Sequence, residues 1–138
     1  MIVLDTNVFS EALKPSPAET PMRWLAAQDP LAIFITTITQ AELLYGVELL
    51  PRGKRRSALS SAIEKLFAVE FAGRILPFDE DAARAFPKIV AHRDKRGRPI
   101  SQFDAMIASI CQSRAATLAT RNIPDFEHCS IPLINPWS

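Results

Sequence analysis

Apolar residues follow two rhythms along this chain: short unbroken runs, and longer stretches spaced three or four residues apart. Ile2-Val3-Leu4 is a run without alternation, as expected of a strand buried on both faces. Residues 31–36, 74–78, 117–120 and 131–134 supply four more short strand candidates, rich in β-branched and aliphatic side chains. Helical spacing fills the intervals. The first run ends at Asp5-Thr6-Asn7, a short helix follows through Leu13, and an amphipathic one over 19–28 carries Met22, Trp24 and Leu25. Further helices cover 40–50 and 57–70, the latter with Leu59, Ile63, Leu66 and Phe67 on one face. Asp79 is placed to cap a helix reaching Arg96, with Gly97 as its stop. Pro87 should kink or divide that helix, because it removes a backbone donor and crowds the preceding turn. Another helix begins at Ser101 and runs to about 113. Lys14-Pro15-Ser16-Pro17 is a breaker, and Pro51-Arg52-Gly53-Lys54-Arg55-Arg56 a basic turn. Strands alternating with helices predict an α/β fold: one domain over 1–138, with a central, mainly parallel five-stranded sheet flanked by helices.

Composition narrows this. A chain of 138 residues fits one domain and is too short for an eight-fold α/β barrel. Hydrophobic residues at 48% support a real core. A formal net charge of +1 does not indicate a large basic surface that holds nucleic acid by charge alone, so any polyanion needs local basic clusters or metal ions. Cys111 falls in an apolar helical stretch, and Cys129 lies in a loop beside His128. Without CxxC spacing these cysteines point to a reducing cytoplasm; a zinc site from Cys129, His128 and His92 is a weak alternative. No run has the length of a membrane span, and the N-terminus lacks the charged region of a secretory signal.

The candidate chemistry is acidic. In a parallel α/β sheet the strand carboxyl ends and the helix N-termini share one edge, and ligands bind there near the reversal of strand order. Asp5 follows the first strand, Glu42 is expected in the first turn of the helix after the second, and Asp104 in the first turn of the helix before the fourth. Asn122 and Asp125 follow the fourth strand. Carboxylates gathered this way repel one another unless cations neutralise them, and hard divalent ions with oxygen ligands are the natural partners. Two such ions about 3.5–4 Å apart suit phosphodiester hydrolysis. Each acid also has a plain explanation. Thr39-Gln40-Ala41-Glu42 and Ser101-Gln102-Phe103-Asp104 both fit capping boxes, and Asp125 fits a cap of the turn at Pro124-Asp125-Phe126. Asp5 is harder to dismiss, since an acid ending a buried strand is costly alone. Thr6, Asn7 and Thr120 flank the proposed site.

These residues resemble a known family. VLDTNVFSE, ITQAELLYGV, FDAMIAS and LATRNIPDF are similar, in order, to the four motifs of PIN-domain nucleases, above all the VapC-type toxins of toxin–antitoxin pairs. GRILPFDE and the closing INPW resemble the FitB-like subgroup. The resemblance spans essentially the whole chain. It implies a Mg²⁺-dependent ribonuclease, with Mn²⁺ as substitute, in which Asp5, Glu42 and Asp104 are metal-site acids and Thr6 and Thr120 orient them. Asn122 stands where many relatives carry a fourth acid, a departure that leaves a second ion open and gives Asp125 a compensating place. The family further implies inhibition by a small antitoxin, contact with operator DNA only through that antitoxin, and a homodimer.

Arg52, Lys54, Arg55 and Arg56, with Arg93, Lys95, Arg96 and Arg98, then become candidates for holding an RNA backbone, against the plainer view that they are solvated surface. Two other functions compete. One is a PIN-fold binding module without activity, which Asn122 would favour. The other is a phosphatase of the haloacid-dehalogenase type, which would need a second Asp where Asn7 stands.

Overall fold

The computed structural model describes all 138 residues, Met1–Ser138. Ile2–Leu4 forms β1, Ile33–Thr36 β2, Ile75–Leu76 β3, Thr117–Ala119 β4 and Leu133–Ile134 β5. Their order across the sheet is β3-β2-β1-β4-β5, and every neighbouring pair is parallel. The expected sheet is therefore correct in strand number and fully, not mainly, parallel. Ile2 and Val3 sit opposite Ile33 and Phe34 on one side, while Ile2, Val3 and Leu4 face Thr117, Leu118 and Ala119 on the other. The chain moves outward from β1 through β2 to β3, then returns across β1 to lay down β4 and β5. The switch point thus lies between β1 and β4, where a parallel sheet opens a crevice at its carboxyl edge.

Seven α-helices cover the sheet: α1 (Thr6–Ala12), α2 (Glu19–Ala26), α3 (Thr37–Glu48), α4 (Lys54–Lys65), α5 (Glu80–Lys95), α6 (Gln102–Ser113) and the single-turn α7 (Ile123–Phe126). Side chains of a strand alternate between faces, so β1 serves two cores. Val3 joins Ile89, Ile107, Ile110, Leu118 and Phe126 beneath α5 and α6. Leu4 joins Val8, Phe9, Ile35, Val47 and Ile63 beneath α1, α3 and α4. Each of these fully buried aliphatic or aromatic side chains contributes about 1.5–3 kcal/mol. No helix is long and apolar enough to cross a membrane.

Several boundaries differ from expectation. Residues 30–32 form a 3₁₀ turn capped by Asp29, so β2 starts only at Ile33. α3 starts at Thr37, not near Gln40, because Thr36 ends β2 and accepts the Thr39 N–H on its hydroxyl at 3.2 Å. α4 starts at Lys54, so Lys54, Arg55 and Arg56 belong to its first turn and not to a basic loop. Its last turn widens into a π turn over Leu66–Glu70. α5 runs unbroken through Pro87. A proline deletes only one ladder bond, and Ala82 and Ile89 on the buried face tie the turns either side of it into the core.

Candidate active site

The switch point places two residues side by side. The Asp5 N–H donates to the Ala119 carbonyl at 2.9 Å, and the Thr120 N–H donates to the Ile134 carbonyl at 2.9 Å, which continues the ladder to the end of both strands. Their side chains then meet: Thr120 Oγ1 donates to Asp5 Oδ2 at 2.7 Å. The other oxygen, Asp5 Oδ1, accepts the Thr6 N–H at 2.8 Å, so Asp5 is the N-cap of α1. Asn7 Nδ2 approaches Asp5 Oδ2 at 3.3 Å and Thr120 Oγ1 at 3.4 Å. Both oxygens of Asp5 are thus fixed before any ligand arrives.

Glu42 is anchored separately. Thr6 Oγ1 donates to Glu42 Oε1 at 2.8 Å and lies 2.9 Å from the buried Thr39 hydroxyl. Glu42 is the sixth residue of α3, in the second turn, because that helix begins at Thr37. The capping box expected from Thr39 to Glu42 is absent: Thr36 is the cap, and Thr39 is a link between Thr6 and the core. Asp104 sits as expected, in the first turn of α6, with its N–H capped by Ser101 Oγ at 3.2 Å.

The electrostatics show that these acids share one field. Burial pushes the Asp5 carboxyl from its ordinary 3.8 up to about 6, against the Thr120 and Thr6 hydrogen bonds, and the charges of Asp104 and Glu42 add to the rise. Burial also raises Asp104, helped by the charges of Asp125 and Glu42 and opposed by the Ser101 bond and the Arg93 charge. No three His, Cys, Asp or Glu side chains are gathered into a ready-made metal cage. Asn122 is exposed, its N–H held by Thr120 Oγ1 at 3.0 Å while its side chain caps nothing. Asp125 lies inside α7 instead of capping it.

The zinc alternative fails. Cys129 is buried and lies 3.7 Å from a nitrogen of Arg93, whereas His92 and His128 are exposed. Cys111 is fully buried and its thiol is raised far above the ordinary range by burial. The basic candidates divide. Arg93 is only 4% exposed and is no RNA contact. Its Nε donates to the Arg98 carbonyl at 2.6 Å, and one terminal nitrogen donates to the carbonyls of Asp125 and Glu127 at 2.8 and 3.0 Å. It braces the segment after β4; the only trace of this in the sequence is its spacing of seven and four residues, at helical period, from Ala82 through Ile89 on the buried face of α5. Arg98 faces Glu127 at 3.5 Å, Arg96 meets His128, and Arg56 pairs with Glu48 at 3.0 Å. Arg52, Lys54 and Lys95 are exposed. Arg55 lines a cleft of about 640 Å³ between α1, α3 and α4 whose apolar walls include Leu43, Val47 and Leu59 and which reaches Thr6 and Glu42.

A parallel five-stranded sheet of this order, with acids fixed at its switch point and helices on both faces, defines a class of α/β domain built to present carboxylates at one edge. Residues 2–128 match the family described as PIN domain, and the chain belongs to that family. It is 38% identical over 137 residues to the VapC ribonuclease Y4jK of Sinorhizobium fredii, covering 99% of this chain and 98% of that protein. It is 39% identical to Toxin FitB of Neisseria gonorrhoeae, covering 99% of each. Among solved structures it is similar to a chain of FitAB bound to an IR36 DNA fragment, with a TM-score of 0.95, 38% identity, and coverage of 100% of this chain and 96% of that one.

Proposed function

We propose that this chain is a metal-dependent endoribonuclease and the toxin of a toxin–antitoxin pair. The observation that carries the proposal is the buried Asp5 carboxyl at the switch point, raised to about 6 with Asp104 and Glu42 adding to the rise. Such a site is stabilised by a cation. Asp5, Glu42 and Asp104, with Asp125 at the rim, would hold Mg²⁺ or Mn²⁺, since all their donors are hard oxygens. Mg²⁺ retains several waters and takes only one or two protein carboxylates, so a closed three-acid cage is not required. When bound, the ion supplies countercharge to the phosphate and makes water easier to ionise. The remaining work belongs to the chain. Thr120 and the Thr6 N–H fix the two oxygens of Asp5, and the Thr6 hydroxyl fixes Glu42. Preset carboxylates need no reorganisation when the phosphodiester P–O bond is hydrolysed.

RNA as the substrate is supported by the similarity to the Sinorhizobium VapC ribonuclease, and the toxin role by the similarity to the Neisseria toxin FitB. The apolar cleft that reaches Thr6 and Glu42 suits a segment of a small antitoxin, through which operator DNA would be contacted. The two free cysteines agree with a cytoplasmic site of action. The test is cleavage of single-stranded RNA by the purified protein in Mg²⁺, lost in EDTA and in Asp5→Asn, together with growth rescue by the neighbouring open reading frame. Absence of cleavage in both Mg²⁺ and Mn²⁺ sinks the proposal. It would leave the second reading, a PIN-fold binding module, which is favoured by the uncharged Asn122 and by the absence of a ready three-acid group.

A further inference from the structure

A phosphodiester approaching this edge meets Asp5, Glu42, Asp104 and Asp125, all of the wrong sign. Most arginines near the edge are already engaged. Arg93 is buried on backbone carbonyls, and Arg98 faces Glu127. Arg121 differs. It lies between Thr120, which holds Asp5, and Asn122, and its N–H donates to Asn7 Oδ1 at 3.4 Å. Its backbone is therefore tied to the same residues that fix Asp5. Its guanidinium forms no ion pair and no side-chain hydrogen bond, and it is exposed. Instead it sits over the indole of Trp137, 5.0 Å from the ring centroid. Glu11 feels the Arg121 charge but has its carboxylate oxygens taken by Lys14 and the Ala18 N–H.

We infer that Arg121 is a phosphate-binding arm of the site, held in place by Trp137. A guanidinium resting on an aromatic face uses that face for attraction and keeps its N–H donors, which match phosphate oxygens in pairs, free for a ligand. Trp137 is itself fixed: its ring packs against the core beneath α1, and its N–H donates to Asn135 Oδ1 at 2.9 Å. The C-terminal Asn135-Pro136-Trp137, which follows β5, thereby acts as a bracket for a residue at the end of the neighbouring β4. The charge sits on the α1 side of the acidic edge, where it grips a backbone phosphate of the RNA next to the one being cut. This inference rests on the nuclease reading, and Arg121 contacts substrate, whereas Trp137 is a positioning residue.

The experiment is steady-state cleavage of a single-stranded RNA oligonucleotide in Mg²⁺ at several salt concentrations, with thermal melting alongside. Arg121→Ala should raise KM about ten-fold, as loss of one charge-assisted contact does. The slope of log(1/KM) against log[salt] should flatten by about 0.7, one released counterion on a single strand. Arg121→Lys should keep the slope and recover part of KM. Trp137→Phe should raise KM in the parent and add nothing in Arg121→Ala. If Arg121→Ala lowers only the melting temperature, leaving KM and the salt slope unmoved, Arg121 merely anchors the C-terminus and the inference falls. If the parent protein cleaves no RNA, the nuclease reading fails and this inference with it.

Discussion

Replacing Asp5 by asparagine removes a charge while nearly preserving shape, and its effect on stability can be worked out in advance. Asp5 is 5% exposed and its carboxyl titrates at about 6 in the fold, against 3.8 for an ordinary aspartate. Below 3.8 the group is protonated in both folded and unfolded chains and costs nothing. Between 3.8 and about 6 the unfolded chain releases its proton first, so stability falls as pH rises. Above about 6 the full penalty is present. The gap of about 2.2 between the two values, at about 1.4 kcal/mol per pH unit, is about 3 kcal/mol. Asparagine does not titrate, so Asp5→Asn escapes the penalty.

It also pays a cost that does not depend on pH. The amide oxygen can still accept the Thr6 N–H, but its nitrogen would face the Thr120 hydroxyl and Asn7 Nδ2, two donors to the present carboxylate. Thr120 Oγ1 already accepts from the Asn122 N–H, which limits how far it can turn to compensate. This loss is about 1–2 kcal/mol. The net change at neutral pH is thus a gain of about 1–2 kcal/mol that shrinks and reverses in acid. Urea unfolding in EDTA at pH 4.5 and 7.5 reads it: the difference between variant and parent should grow by about 2 kcal/mol across that interval. Added Mg²⁺ should then stabilise the parent more than the variant. A difference that stays constant with pH would refute the claim that a buried, charge-crowded Asp5 carboxylate is held at a cost.

Three further outcomes follow from the same geometry. Arg93→Met keeps much of the stem but strands the carbonyls of Arg98, Asp125 and Glu127; urea unfolding should show a loss of about 3–5 kcal/mol, and a loss below about 1 would remove Arg93 as the brace. Thr36→Ala deletes the cap of α3 and should lower stability by about 1 kcal/mol, with Thr36→Ser close to the parent in thermal melting; equal losses in the two would mean that packing, not the hydroxyl, matters. Asn122→Asp should tighten Mg²⁺ binding in titration calorimetry, and an unchanged affinity would take position 122 out of the ligand set.

The sheet was legible because its strands are short apolar runs, and the polar residues that end β1 and β4 located Asp5 and Thr120 at the strand ends. Asp104 was legible because Ser101 is the only hydroxyl available to cap α6 there. Glu42 shows where local signals fail. Thr36, Thr37 and Thr39 are all competent caps, and nothing in ITTITQAE chooses among them. The choice is made by β2, which pairs Thr36 with Leu76 and so ends the strand there. Starting α3 after Thr36 turns Thr39 inward to meet Thr6, and Glu42 comes to rest on the Thr6 hydroxyl. Long-range contacts also decided Pro87, Arg93 and Trp137: a helix with both flanking turns anchored tolerates a lost bond, and a charge can be buried where helix-end carbonyls converge on it.

The sequence pattern therefore identified which acids share an edge, but not how they are held. Holding is done by neutral groups. Thr6, Thr39, Thr120 and Asn7 supply the bonds that fix Asp5 and Glu42, and none carries charge. A carboxylate fixed by hydroxyls keeps its negative charge for a cation; one fixed by arginine would have it cancelled. The only guanidinium buried near the site, Arg93, bonds to carbonyls and lowers Asp104 through space without pairing with it. Arg121, which is exposed, rests on Trp137 and pairs with none of the acids. Charge of both signs is thus present at this edge and kept apart, the condition under which an acidic site can bind a cation and a polyanion together.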